Sequence, residues 1–90
     1  MNVVVESDGT YISLKHEKEH FTLYTEDLRD LYDNNFEIFC KEVIDYLTDV
    51  LPDEGHRDWK WKFSDVIEAC KKVYKRFKKW LRYFIILDVY

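Results

Sequence analysis

The segment from residue 64 to residue 87 constrains the fold most, because its apolar and basic side chains alternate with the period of an α-helix. The apolar side chains that share one face are Val66, Cys70, Val73, Tyr74, Phe77, Trp80, Leu81 and Phe84. The opposite arc carries Lys71, Lys72, Lys75, Arg76, Lys78, Lys79 and Arg82. This pattern predicts a long amphipathic helix with Ser64 as its N-cap, whose apolar face packs against the rest of a small domain.

Residues 2–24 carry apolar and polar side chains in alternation, which predicts a three-stranded antiparallel meander. The Asp8-Gly9 pair favours a two-residue type I′ turn, and residues 16–19 supply the second turn. Folding about these turns gathers six apolar side chains on one face, namely Val3, Val5, Ile12, Leu14, Phe21 and Leu23.

The two turns also predict which residues pair across the strands. Val5 is expected opposite Ile12 in the first hairpin, and Leu14 opposite Phe21 in the second. A competing interpretation is a single helix over residues 13–32, because apolar side chains recur there at heptad-like spacing as well. We favour the meander, since one register places all six apolar side chains on the same face.

An acidic helical segment is predicted over residues 25–51. Thr25 suits an N-cap, because two acids follow it in the first turn, and Pro52 is expected to end a second helix that begins near Phe36. Residues 84–90 either continue the last helix or dock as an extended segment. The fold class is therefore α+β, a three-stranded antiparallel β-meander followed by two to three helices, the longest C-terminal.

Length and composition indicate one compact domain over residues 1–90, since 47% of the side chains are apolar and 18% are aromatic. Cys40 and Cys70 both fall on apolar helix faces, which favours buried free thiols in a reducing compartment. A bridge between the two cysteines is the alternative. The printed chain has no apolar run of about 18 residues and no basic leader with a cleavage site, so we expect a cytoplasmic protein that does not bind membranes.

Charge is distributed unevenly along the chain. Residues 1–54 hold 14 acids and 4 bases, whereas residues 55–90 hold 4 acids and 10 bases. The total net charge of −4 differs from that of DNA-binding domains, which are usually basic. The acidic part suits a basic partner surface, and the basic helix suits an acidic protein surface or a nucleic acid.

No motif in the sequence indicates catalysis strongly. Residues 16–20 match the H-E-x-x-H string of zinc proteases, but that chemistry needs both histidines on one helix face, and the hairpin register places a turn here. A phosphate-binding loop is not expected, because Gly9 and Gly55 are the only glycines. We expect a non-enzymatic protein without catalytic residues, metal or cofactor. A zinc hydrolase built on His16 and His20 is the least favoured hypothesis.

Trp59 and Trp61 alternate with lysines at positions 60 and 62, and this row has two interpretations. Aromatic rings flanked by cations can stack on the bases of single-stranded nucleic acid. We favour the other interpretation, in which the rings anchor the loop to the core and the lysines point outward.

The seven cations of residues 71–82 repel one another at i,i+3 and i,i+4 spacing. The repulsion could be offset internally by the acidic segment, or externally by a nucleic acid or an acidic protein surface. Binding to a membrane surface is disfavoured, because the core needs the apolar face of this helix. Simple solvation of a highly charged face is the alternative that needs no partner.

These features fit best a small non-enzymatic protein-binding protein with a regulatory or inhibitory role. Small inhibitors encoded by phages or mobile elements, which act on a host defence or nucleic-acid-processing complex, share this profile. The expected partner-binding residues are the seven cations, Trp59 and Trp61, and an acidic face made of Asp30, Asp33, Glu37, Ile38, Glu42, Asp45 and Asp49. A homodimer is compatible with these features, and a nucleic-acid-binding module using the basic helix is the alternative.

Overall fold

The computed structural model describes the backbone of residues 3–88 and the side chains of residues 3–79. Three strands precede three helices: β1 (Val4–Glu6), β2 (Ile12–His16), β3 (Glu19–Leu23), α1 (Thr25–Leu31), α2 (Phe36–Asp53) and α3 (Phe63–Asp88). The strands pair in sequence order as one antiparallel sheet. The predicted α+β fold class, a meander first and the longest helix last, is confirmed.

The β2–β3 hairpin has the predicted register. Leu14 pairs with Phe21, and the ladder continues to His16, which leaves residues 17–18 as a two-residue turn. Glu17 occupies the left-handed region of this turn, with a φ of 55°. The single-helix interpretation of this segment is therefore wrong.

The β1–β2 hairpin differs from the prediction in both its turn and its register. Val5 pairs with Leu14 rather than with Ile12. A loop of residues 7–11 replaces the two-residue turn, because a type I′ turn needs positive φ at both central residues and only Gly9, at 98°, has it. The shift is by two residues, so the side chains keep their predicted faces.

Side-chain hydrogen bonds within the β1–β2 loop explain this difference. The Ser7 hydroxyl accepts from the Gly9 N–H at 3.1 Å, and the Asp8 carboxylate accepts from the Thr10 N–H at 2.9 Å. The Thr25 hydroxyl donates to the Thr10 carbonyl at 2.7 Å. The Ser7 and Asp8 side chains thus give loop N–H groups hydrogen-bond partners in place of those of a tight turn, and the Thr25 bond attaches the loop to α1.

The N-terminal ends of α1 and α2 are capped in different ways. Tyr24 rather than Thr25 is the N-cap of α1, because the Thr25 hydroxyl is already bonded to the β1–β2 loop. At α2 the side-chain oxygen of Asn35 accepts from the N–H groups of Glu37 and Ile38, at 3.0 and 3.2 Å. Asn35 therefore satisfies two of the backbone donors that a helix start leaves without partners.

Two helix boundaries also depart from the prediction. Pro52 does not end α2, which continues to Asp53, because a proline in the last turn fits the helical φ and removes only one hydrogen bond. Gly55, with a φ of 88°, follows the end of the helix. The last helix begins at Phe63, so Ser64 lies inside its first turn and is not the N-cap.

The core lies between the sheet and the helices. α3 packs over β1 and β2, α1 lies beside β3, and α2 packs against α1 and α3. The largest fully buried side chains are Phe39, Ile12, Leu14, Leu23, Leu28, Leu47, Leu51, Val43, Val66, Val73 and Cys70. The backbone of residues 84–88 continues α3, whose 26 residues span about 39 Å. The predicted apolar positions of α3 from residue 80 onward lie outside the described side chains.

Aromatic rings fill the junction between the α1–α2 connection and α3. The Tyr32 ring stacks on Tyr74 with a centroid separation of 5.5 Å, and Phe36 meets Tyr74 edge-on at 5.2 Å. Among the described side chains, Tyr24 and Phe63 are the aromatic residues that stay largely exposed, at 65% and 62%. Most of the other described rings are buried or half-buried and contribute to packing.

Candidate functional site

The cations of α3 form two rows along the solvent side of the helix. The outer row, which faces away from the core, comprises Lys71, Lys75 and Lys78. The inner row, which runs beside the β1–β2 loop, comprises Lys72, Arg76 and Lys79. All six side chains are exposed. The predicted site residue Arg82 lies outside the described side chains.

The inner row contacts the β1–β2 loop. Lys72 Nζ lies 3.5 Å from a carbonyl oxygen of that loop. The Arg76 side chain covers Gly9 so closely that a Cβ on this glycine would lie 3.0 Å from Arg76 Cδ. Hydrogen bonds from the hydroxyl and N–H of Thr10, and the nearby charge of Arg76, hold the pKa of Asp8 below its usual value.

The basic face is not neutralised by the acidic segment within the side chains that the structure describes. The one ion pair that an α3 cation makes there joins Lys71 Nζ to Glu68 Oε1 at 3.2 Å, within the same helix. The acids of α2 make no ion pair with either row over residues 3–79. Internal neutralisation of the basic face by ion pairs with the acidic segment is therefore not seen in this part of the chain.

α2 directs its acidic side chains to the solvent. The residues of the predicted acidic face that lie on one exposed side of this helix are Glu37, Ile38, Glu42, Asp45 and Asp49. Ile38 is 45% exposed among these carboxylates, as its position in the helical pattern predicts. Asp30 is exposed on α1, whereas Asp33 is half-buried in the α1–α2 connection and its carboxylate accepts from the Asn35 N–H.

Trp59 and Trp61 lie in an extended segment before α3 in which only Lys60 makes a strand-like bridge. Trp59 is 7% exposed, and its ring stacks on His56 with a centroid separation of 3.9 Å. Trp61 is half-buried, and its Nε1 is buried without a hydrogen-bond partner. Trp59 is therefore built into the core, and the lysines at positions 60 and 62 are exposed.

A cleft opens where the β1–β2 loop, α1 and the inner row of α3 meet. It has a volume of about 470 Å³ and is lined by Gly9, Thr10, Thr25, Arg29, Arg76, Phe77 and Lys79. Of these lining residues, only Arg76 and Lys79 were predicted from the sequence as site residues. No local sequence signal could have found them, because the cleft is formed by three separate segments of the chain.

The two cysteine thiols meet between α2 and α3. Both are free and buried, and they lie close enough for each thiol to influence the pKa of the other. Burial raises the pKa of Cys70 far above its usual value, and burial also raises that of Cys40. Both thiols are therefore protonated at neutral pH, which makes them poor nucleophiles.

The H-E-x-x-H string does not form a zinc site. His16 ends β2, while His20 lies on β3 opposite Lys15, so the two histidines do not share a helix face. Over the described residues, no group of three or more His, Cys, Asp or Glu is placed to hold a metal ion. In the same part of the chain, no helix has the length and hydropathy needed to cross a membrane.

Comparison of the chain with models of protein families, with curated proteins and with solved structures found no match.

Proposed function

We propose that this protein is a small non-enzymatic protein-binding protein that regulates or inhibits its partner, and that the outer row of α3 docks on an acidic surface of that partner. The observation that carries this proposal is the exposure of Lys71, Lys75 and Lys78 on one helix face, where no acid of another element forms an ion pair with them within residues 3–79. A partner with carboxylates at matching positions would replace the repulsion between these cations by attraction.

The shape of the surface supports binding to a protein. A helix whose opposite face is packed in the core presents its cations from a preformed backbone, so little backbone entropy is lost on binding. A membrane would need the apolar face of α3, but Val66, Val73 and Phe77 on that face are buried in the core.

The charge distribution favours a protein over a nucleic acid as the partner. The net charge of −4 differs from that of DNA-binding domains, which are usually basic overall. Trp59 is buried and offers no free face on which a base could stack. The alternative, a nucleic-acid-binding module, is favoured only by the exposed cation rows themselves.

The role that we propose is that of the small inhibitors encoded by phages or mobile elements, which act on a host defence or nucleic-acid-processing complex. The support is the combination of small size and segregated charge along the chain. The buried, protonated thiols of Cys40 and Cys70 and the lack of a metal-binding cluster in that part of the chain are consistent with this role.

The test compares two charge-reversed variants in partner capture. The triple variant K71E/K75E/K78E reverses the outer row, and K18E/K41E/K60E reverses three exposed lysines outside α3 with the same change in net charge. Proteins recovered from the native host are purified, and their affinity is measured again by calorimetry. We expect a partner that binds the wild type and the second variant but loses at least about tenfold in affinity for the first.

The proposal is wrong if every recovered partner binds the outer-row variant as tightly as the wild type. Anisotropy titrations with single-stranded and double-stranded DNA and RNA address the alternative. Tight binding that weakens steeply with salt and disappears in the outer-row variant would establish the nucleic-acid module instead.

A further inference from the structure

We infer that the cleft between the β1–β2 loop, α1 and α3 binds a small organic anion that carries an apolar body, such as an acyl or aryl carboxylate. The site is distinct from the outer row of α3, and the inference does not depend on a partner protein. It rests on the shape of the cleft, on its charge and on the way its walls are held in place.

The size and lining of the cleft suit a small ligand. Its volume of about 470 Å³ lies within the range of ligand-binding pockets. Phe77, which is 7% exposed, contributes an aromatic surface, and Thr10 and Thr25 add methyl groups. The walls are therefore mainly apolar, and they would bury the hydrocarbon part of a ligand.

The charged groups of the cleft select an anion. Arg29, Arg76 and Lys79 all line it. The Asp8 carboxylate lies near enough to Arg76 for an electrostatic interaction. This carboxylate already accepts hydrogen bonds from the N–H and the hydroxyl of Thr10. Among the described lining residues, Arg76 and Lys79 supply positive charge and none is an acid, and a guanidinium can bind a carboxylate through two parallel hydrogen bonds.

The walls are fixed before any ligand arrives. The Thr25 hydroxyl ties the β1–β2 loop to α1 through the Thr10 carbonyl at 2.7 Å. Gly9, with a φ of 98° and no Cβ, allows the Arg76 side chain to lie against the loop. A preformed cleft loses little entropy on binding, which favours affinity for a small ligand.

Titration of ¹⁵N-labelled protein with three probes tests the inference. Octanoate combines an apolar chain with an anionic head, octylammonium has the same chain length with a cationic head, and inorganic phosphate is an anion without a chain. We expect octanoate to give saturable shifts of the Gly9, Thr10 and Thr25 amides with a Kd on the order of 1 mM. Octylammonium should give none, and phosphate should bind at least about fivefold more weakly.

Three results would overturn the inference. The first is the absence of saturable shifts with octanoate up to about 10 mM. The second is equal binding of octylammonium, which would show that charge does not select the ligand. The third is equal binding of phosphate, which would show that the apolar walls contribute nothing.

A pair of charge reversals locates the site. Lys79→Glu changes an exposed residue that lines the cleft and should weaken octanoate binding about tenfold. Lys62→Glu makes the same charge change about 25 Å away along α3 and should leave binding unaltered. Equal affinities for the two variants would refute the placement. The triple variant of the outer row separates this inference from the proposed function, because it should lose the partner but keep the Gly9 and Thr10 shifts.

Discussion

Lys75 sits at the centre of the repulsion on α3, and neutralising it should stabilise the protein. Its four neighbours at i±3 and i±4 are Lys71, Lys72, Lys78 and Lys79, and all of them are exposed. Each like-charge pair at this spacing destabilises a helix by about 0.2–0.5 kcal/mol. Lys75→Gln removes four such pairs and should raise the free energy of unfolding by about 1–2 kcal/mol at low ionic strength.

Urea unfolding at low salt and in about 1 M NaCl measures this gain. Added salt screens exposed charges, so the difference between Lys75→Gln and the wild type should shrink at high salt, while the slope of the unfolding curve stays the same. Lys41→Gln is the matched control, because Lys41 lies between Glu37 and Asp45 at i−4 and i+4 on α2. That variant should instead lose about 0.4–1 kcal/mol.

A gain in Lys75→Gln that persists in high salt would refute the electrostatic reasoning and point to helix propensity instead. Equal effects of the Lys41 and Lys75 substitutions would refute it as well. A confirmed gain would mean that the protein keeps a destabilising cation row, which is the expected pattern for residues retained for binding rather than for stability.

Three further predictions concern the turn, the helix start and the thiols. Glu17→Gly should raise the free energy of unfolding by about 0.5–1 kcal/mol in urea titrations, because glycine adopts the observed φ of 55° without a steric cost. Asn35→Ala should lose about 1 kcal/mol and lower the thermal midpoint, whereas Asn35→Asp, which keeps the acceptor oxygen, should not. Burial raises the pKa of Cys40 and Cys70, so above about pH 9 the unfolded chain loses thiol protons that the folded protein retains, and stability should fall with rising pH. Urea titrations between about pH 8 and 10 should show a shallower fall for Cys70→Ala than for the wild type.

The elements with strong periodicity could be predicted from sequence. The alternation through β2 and β3 and the turn of residues 17–18 fixed the pairing of Leu14 with Phe21. The helical spacing of Val66, Val73 and Phe77 located the buried face of α3. In both segments a shift of one residue would have moved apolar side chains to the solvent, so few alternatives competed.

Two of the wrong predictions concern places where a polar side chain has several hydrogen-bond partners available, and another concerns a proline. Thr25 suits an N-cap, but its hydroxyl donates to the Thr10 carbonyl of a distant loop instead. Ser7 and Asp8 bond the loop backbone and replace a two-residue turn by a longer one. Pro52 was expected to end α2, but its ring fits the last turn.

The candidate site was predictable only in part, because part of it forms only when separate elements pack together. The cations of α3 and the acids of α2 are visible as helical patterns, and the described ones lie on exposed faces. The cleft depends on Gly9, Arg29 and Lys79, which are brought together only by the packing of three elements. Such a juxtaposition follows from the tertiary structure and produces no recognisable spacing pattern in the sequence.

The packing of α3 across β1 and β2 has a consequence for the order of events during synthesis. The apolar face of the sheet, which includes Ile12 and Leu14, is synthesised before α3, the helix that covers it. This face therefore stays uncovered by α3 until α3 has left the exit tunnel of the ribosome, and a transiently exposed apolar surface favours aggregation.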